Sequence, residues 1–393
     1  MILQEKAVQA HDLLRETGLD CWLTFVRETD NHPDPGLDLV VGAAVVRYSA
    51  FLVHVSGERV AIVANFDVEN VHAAGVFRDV IGYDEDVQPA LLETLRRWDP
   101  NSIGLNYSAD DSTADGLTHG AWLRLNGLLR GTPYLDRLTT AAPLLAKLRG
   151  RKTPSEIACI RKAIAATEEI VALVTPLIRP GVSEAQLAAF VHGEFRRRGL
   201  EPAWPWEGCP VVNTGPESGG GHGRPRDDLR VEPGHLVHMD LGVRVDGYCS
   251  DLQRMWYVPR PGETAPPAEV QRAFDTVVRA IEAAAVVLRP GAIGHTVDAP
   301  ARRVVTEAGY PEYKHGLGHG LGRAVHDGGT ALGPRWPCYG AMTDGIVEAG
   351  NVYTLEPAVR TAAGVIGIEE DVLVTESGCE FLSSFQRTLI MAY

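Results

Sequence analysis

With 393 residues, 45% of them hydrophobic and 22% charged, the chain has ordinary globular composition and is long for one core, so two domains are expected. Lys plus Arg number 37 against 51 Asp plus Glu, a formal net charge of -14, and the basic residues are scattered except for Arg196, Arg197 and Arg198. That distribution argues against nucleic-acid binding, which needs a basic patch, and no window approaches the ~18 uninterrupted apolar residues of a membrane span.

The chain opens on "MILQEKAVQAHDLL", an amphipathic stretch charged through its first turn and lacking the continuous apolar core of a secretory signal. Its cysteines (Cys21, Cys159, Cys209, Cys249, Cys338, Cys379) are far apart with no CxxC pair, so reduced thiols and a cytoplasmic location are expected. Residues 1–145 alternate helical stretches ("EKAVQAHDLLRETG", "VQPALLETLRRW") with β-branched runs ("CWLTFV", "YSAFLVHV", "RVAIVAN", "SIGLNY"), the pattern of an α/β layer domain. Between them "RETDNHPDPGLDLVVG" predicts a long solvated loop. The second domain, 146–393, begins with the linker "LRGRKTPSEI", in which Thr153 predicts an N-cap, Pro154 the first helical position and Glu156 a capping box.

Past the linker the sequence repeats itself at an offset of 110: Arg179, Pro180, Gly181 and Gly199 fall on Arg289, Pro290, Gly291 and Gly309. Each copy predicts a helix, an RPG turn, a second helix and a glycine stop, and the Arg196–Arg198 run reads as the cationic end of one such helix. Each half then carries two carboxylates in β-rich sequence, Asp240 with Asp251 and Glu356 with Glu369, which would meet across a pseudo-two-fold axis. Asp240 follows the β run "HLVHM", and Gly242 with Asp246-Gly247 supplies turn chemistry before "YCSD", so this pair is expected on neighbouring strands of a hairpin. Cys249 is expected to be a strand residue facing away from the carboxylates. His319, inside "HGLGHGLG", lies between the two carboxylate pairs. Four carboxylates and one imidazole suit two divalent ions sharing bridging oxygens better than one zinc. The glycines around His319 fit neither a GxGxxG phosphate cradle nor a P-loop, and no GxSxG elbow supports a serine nucleophile near Ser250.

The stretch "GHLVHMDLGVRVDGYCSDLQRMWYV", followed by "HGLGHGLGRAVH", "YTLEPAV" and "IEEDVLVTESG", resembles the M24 metallopeptidase family, the pita-bread fold of prolidases, Xaa-Pro aminopeptidases, methionine aminopeptidases and creatinase. The resemblance is strong over residues 150–393, and residues 1–145 are similar more loosely to the creatinase-type N-terminal domain. It implies a mixed α/β chain in which an α/β domain precedes a pita-bread domain with an internal pseudo-two-fold repeat. It also implies that Asp240 chelates one ion, Asp251 and Glu369 bridge two, and His319 and Glu356 hold the second, with Mn, Co or Zn as the metals. Such a pair, ~3.5–4 Å apart, would activate a bridging water and polarise a scissile carbonyl. Strand alternation turns Glu370 to the opposite face from Glu369.

The resemblance further implies catalytic roles for His222 and His326 as stabilisers of the developing oxyanion, and for Glu356 as proton shuttle. His315 would orient the site, and His235 and His238 read as sheet residues. The reaction implied is hydrolysis of the peptide bond before proline, with Trp204, Trp206 and Trp336 as aromatic candidates for a pocket around the ring. The family often carries an arginine two residues before its last metal glutamate, where this chain has Gly367, so Arg335 or Arg224 would have to meet a substrate carboxylate. The expectation is a prolidase, an Xaa-Pro dipeptidase, with an Xaa-Pro aminopeptidase as the alternative. A metal-dependent lyase or amidinohydrolase is the alternative from another class. A homodimer acting on proline-containing peptides is implied as well.

Overall fold

Runs of apolar residues between Cys21 and Leu105 form the centre of a six-stranded sheet in the structure, a computed structural model that describes residues 1–219, 221 and 223–393. The strands are β1 (Cys21–Val26), β2 (Ser49–His54), β3 (Arg59–Ala64), β4 (Asp79–Tyr83), β5 (Ile103–Leu105) and β6 (Leu138–Thr140), in the order β4-β3-β2-β1-β5-β6. β2 pairs antiparallel with β1 and β3, and the remaining neighbours are parallel. Every residue of β1 is buried, because helices cover both faces. On one face Ala10, Leu13 and Leu14 of α1 (Ile2–Thr17) share a core with Trp22, Phe51 and Val63. Across the sheet, and with α2 (Val68–Ala74) between them in sequence, α3 (Gln88–Trp98) and α4 (His119–Leu129) set Leu91, Leu95, Leu125 and Leu129 against Leu23, Phe25 and Ile62. This sheet belongs to the unit Met1–Arg149, and a second unit spans Gly150–Tyr393.

The segment expected to be a solvated loop is only partly so. It ends in a π-helical turn, Leu37–Val41, in which Leu37, Leu39, Val40 and Val41 are buried. Four apolar residues within one turn must find a core, and Asp34 fixes the approach to it: its Oδ1 accepts from Gly36 N at 2.8 Å and Asn106 Nδ2 at 2.7 Å. Burial pushes the Asp34 carboxyl up to about 6.

The second unit begins as α5 (Ala142–Gly150) ends. Thr153 then caps α6 (Pro154–Val174), accepting from Glu156 N at 3.3 Å while Glu156 Oε2 accepts from Thr153 N at 2.8 Å. The repeat is visible in backbone hydrogen bonds. Between α6 and α7 (Glu184–Arg198), Gly181 N donates to Val231 O at 2.8 Å and Val231 N to Val182 O at 2.9 Å. Between α8 (Ala268–Val287) and α9 (Gly294–Glu307), Gly291 N donates to Val347 O at 2.9 Å and Val347 N to Ala292 O at 2.8 Å. Gly181 and Gly291 have φ of 90° and 86°, which is why each RPG turn ends in glycine.

The strands that follow each helix pair carry the candidate site. After β7 (Glu201–Pro202), the first half supplies β8 (Val211–Thr214), β9 (Leu236–Leu241), β10 (Val243–Val245), β11 (Tyr248–Cys249) and β12 (Leu252–Tyr257). The second supplies β13 (Val352–Leu355), β14 (Ala358–Thr361), β15 (Gly364–Gly367), β16 (Glu370–Val374), β17 (Cys379–Phe381) and β18 (Ile390–Met391). β18 joins the first half's sheet, β18-β12-β9-β8, where Val191 and Phe195 of α7 share a core with Val212 and Met239, while Phe274 and Ile281 of α8 share a core with Leu355 of β13 and Ile366 of β15.

Candidate metal centre

Asp240 is the penultimate residue of β9, and Asp251 immediately precedes β12, the strand antiparallel to it. The register sets Gln253 opposite Asp240, so His238, Asp240, Asp251 and Gln253 alternate onto one face. Between the two strands β10 and β11 form a small ribbon, closed by Asp246 and Gly247 at φ 51° and 82°. Both φ values are positive, as the tight turn requires. A methyl at Gly242 would strike the Ser250 carbonyl oxygen, so only glycine allows the chain to return this closely.

In the second half the His319 segment lies along β13. Thr354 N donates to His319 O at 3.0 Å and Glu356 N to Leu317 O at 2.7 Å. A Cβ at Gly318 would collide with the Thr354 carbonyl, so glycine permits the approach that carries His319 to Glu356. β14 and β15 pair as a hairpin with Ala358 opposite Gly367, which returns the chain from Glu356 to Glu369. Glu369 N then donates to Gln253 O at 3.3 Å, stitching one half to the other.

The outcome is a cluster around one imidazole. His319 Nε2 lies 3.5 Å from Glu356 Oε1, 3.8 Å from Asp251 Oδ2 and 3.8 Å from Glu369 Oε1. Ligand atoms of Asp251, His319 and Glu369 all lie within 4.8 Å of one another. Asp240 joins them through the charge it presents to Asp251, Glu356 and Glu369. Asp240 Oδ1, Asp251 Oδ1 and Glu369 Oε1 are buried and have no hydrogen-bond partner among the described residues. Buried carboxylate oxygens without partners are costly. Burial pushes the Asp240 carboxyl up to about 7, and burial together with Asp240 pushes Glu356 up to about 8. Burial and mutual repulsion hold Asp251 and Glu369 well above the usual carboxylate range. Divalent cations would satisfy the bare oxygens and neutralise the repulsion, so the oxygen-rich donor set fits them.

The remaining candidates take varied positions. His326 is exposed, and its ring meets the His319 ring edge-on at a centroid distance of 4.2 Å. His315 sits beside Tyr313, with Nδ1 2.8 Å from Gly316 O. His222 lies outside the described residues. Arg335 is exposed and paired with Asp344 Oδ1 at 2.7 Å. Trp204 and Trp206 pack on the core cluster of α7, whereas Trp336 stacks on Tyr339, whose hydroxyl accepts from Gly316 N at 2.6 Å. Glu370 turns away from Glu369 and pairs with Arg254 at 3.1 Å, and the buried Cys249 thiol, pushed up to about 11 by burial, points at backbone carbonyls.

Three residues beside the candidate ligands carry no role in the sequence reading. Asp371, fully buried, accepts Asp251 N at Oδ2 over 3.2 Å. Gln253 Nε2 donates to Glu369 Oε2 at 2.9 Å and Glu356 Oε2 at 3.3 Å. His238 Nε2 lies 2.9 Å from Gln253 Oε1. Each stands two residues from a carboxylate of the cluster, and that period of two is the signal that could have found them.

Residues 158–376 match the sequence profile of metallopeptidase family M24. An uncharacterized peptidase of Staphylococcus saprophyticus is 30% identical over 349 residues, covering 87% of this chain and 89% of that protein. Among solved structures, an Xaa-Pro dipeptidase from Bacillus anthracis superposes with a TM-score of 0.76 at 23% identity, covering 99% of each chain. An X-Pro aminopeptidase from Thermotoga maritima superposes with a TM-score of 0.72 at 25% identity, covering 98% of this chain and 99% of that one. These similarities carry the pita-bread fold with them.

Proposed function

The chain belongs to metallopeptidase family M24, and on that premise we propose that it hydrolyses the peptide bond before proline as an Xaa-Pro dipeptidase, with two divalent cations held by Asp240, Asp251, His319, Glu356 and Glu369. The observation that carries the reading is the convergence of four carboxylates on the His319 imidazole with three of their oxygens buried and bare. When bound, the cations would supply Lewis-acid polarisation of the scissile carbonyl and acidify the attacking water.

The chain's own residues do the rest. Glu356, whose carboxyl is pushed up to about 8 by burial and by Asp240, is suited to take a proton near neutral pH and pass it to the departing imide nitrogen. That nitrogen carries no hydrogen in the substrate, so cleavage requires a proton to be delivered there. His326, exposed beside His319, donates to the carbonyl oxygen as charge develops on it, and His222 is assigned the same task. His315, beside Gly316 O, and Trp336, through Tyr339, brace the segment that presents His319. The chain works as a homodimer in the cytoplasm on this reading.

One observation favours a second reading, an Xaa-Pro aminopeptidase. Position 367 is glycine, and Arg335 is engaged with Asp344 at the surface, so neither brings a cation to a substrate's free carboxylate. Purified protein assayed with and without Mn²⁺ on Xaa-Pro dipeptides, Xaa-Pro-Xaa tripeptides and creatine separates the readings. Cleavage of dipeptides supports the first, preference for tripeptides the second, and action on creatine alone defeats both. Asp251→Ala should abolish metal content and cleavage together.

A further inference from the structure

Gln253, on β12 of the first half, reaches two carboxylates of the second half with its side chain. Its backbone pairs with Asp240 on one side and accepts Glu369 N on the other. Its amide nitrogen has two hydrogens, and both are committed: one to Glu369 Oε2 at 2.9 Å, one to Glu356 Oε2 at 3.3 Å. These carboxylates belong to different turns of the chain, and the amide ties them to each other. The opposite end of the amide is held as well. Oε1 can only accept, so His238 Nε2 at 2.9 Å must carry the proton there. His238 Nδ1 then needs a donor, and the Asn213 amide lies 3.1 Å away with Ser218 Oγ behind it at 3.0 Å. The atom placed 3.1 Å from Nδ1 is Asn213 Oδ1, and Asn213 Nδ2 faces Ser218 Oγ; exchanging the two ends of that amide gives Nδ1 its donor and lets the Ser218 hydroxyl donate to the amide oxygen.

The space for this arrangement comes from Gly367. A Cβ there would sit 2.6 Å from Gln253 Oε1 and 3.3 Å from His238 Nε2, so any larger residue pushes the amide off its partners. The glycine at this position and the glutamine at 253 are thus two halves of one device.

We propose that Gln253 is a positioning residue, oriented by His238 through the gap at Gly367, that sets the oxygens of Glu356 and Glu369 for cation binding. This rests on the reading of those carboxylates as metal ligands. Hydrogen-bonding partners behind metal ligands typically change affinity by about 10–100-fold when removed. Gln253→Met keeps the length of the side chain and removes both donors. It is expected to weaken Mn²⁺ binding, measured by calorimetry on chelator-treated protein, by about 10–100-fold. Gly367→Ala should weaken Mn²⁺ binding similarly in the wild-type background and change it little in Gln253→Ala, where no amide is left to displace.

The inference is overturned if Gln253→Met binds Mn²⁺ as the wild type does, or if Gly367→Ala weakens binding equally in both backgrounds. A loss confined to the metal-free thermal midpoint would overturn it too, since that marks a packing role. The peptidase reading fails separately: a wild type that binds Mn²⁺ but cleaves no Xaa-Pro peptide sinks that reading and leaves this one standing, whereas a wild type that binds no Mn²⁺ sinks both.

Discussion

The backbone N–H of Asp251 donates to Oδ2 of Asp371 at 3.2 Å, so a proposed ligand from the first half of the cluster is aimed by a carboxyl of the second half that lies outside the proposed set. Asp371 is itself fixed, since its N–H donates to Ser383 Oγ at 3.1 Å. Burial holds the Asp371 carboxyl well above its ordinary range. Asp371→Asn keeps an acceptor for Asp251 and is expected to retain the fold and Mn²⁺ binding. Asp371→Leu leaves a buried N–H without an acceptor and should cost about 1–3 kcal/mol of stability in urea denaturation, with weaker Mn²⁺ binding. Equal stability of the Asn and Leu variants would show that the contact does not hold Asp251.

The raised carboxyls also fix the sign of a pH effect. Asp240 and Glu356 titrate at about 7 and about 8 in the metal-free fold, mainly because they are buried, and in the unfolded chain both would titrate near 4. Between those values the fold holds protons that the unfolded chain has lost, so the stability of the metal-free protein falls as pH rises from about 4 through 8. Cations displace the same protons. Mn²⁺ binding should therefore release protons at pH 7, and its affinity should increase between pH 6 and pH 8. Calorimetry in buffers of different ionisation enthalpy reads the release directly, and an affinity that falls over that interval would contradict the assignment.

Much of this arrangement is legible in the sequence because it is local or periodic. Thr153 and Glu156 announce their capping box three residues apart, and the two RPG turns announce matching backbone geometry 110 residues apart. The placement of Glu370 opposite Glu369 follows from strand alternation alone, and Arg254 waits for it there. The same alternation puts Gln253 and Asp371 on the cluster's face, yet their partners lie 103 to 120 positions away in sequence. Which strand lies beside which, and how far an amide must reach, is tertiary information. The π-helical turn at Leu37–Val41 is hidden for a related reason: the prolines and polar residues before it dominate the local signal, while the burial of Leu39 and Val40 is decided by α1 and the sheet.

Beneath the His319–His326 segment, Lys152 and Asp327 form an ion pair of 3.0 Å, with side chains 2% and 3% exposed. Asp327 Oδ1 also accepts from Ala324 N at 3.3 Å, so the pair shapes the loop that presents His326. Lys152→Met would leave the Asp327 carboxylate buried without its cation, at a cost of about 3–5 kcal/mol. Replacing both, as Lys152→Met with Asp327→Leu, should recover part of that loss in urea denaturation while still lowering peptidase activity through the altered loop. If the double variant is no more stable than Lys152→Met, the pair is not what the single substitution breaks.

His326 offers the sharpest separation of catalysis from structure. It is exposed, so truncating it removes no core and should shift stability by no more than about 0.5 kcal/mol. Its ring meets the His319 ring edge-on at 4.2 Å and it stands outside the proposed ligand set, so Mn²⁺ affinity should also stay near the wild-type value. If it donates to the carbonyl oxygen as charge develops, His326→Ala should lower kcat by about 100-fold or more with little change in KM, as expected for an interaction that strengthens on reaching the transition state. His326→Gln, which keeps an N–H of similar reach, should restore part of the rate. Steady-state kinetics on an Xaa-Pro peptide, with metal content measured on the same preparations, decides the matter: a variant with unchanged kcat has lost nothing the reaction uses, and one that loses metal in proportion to activity acts through His319 instead.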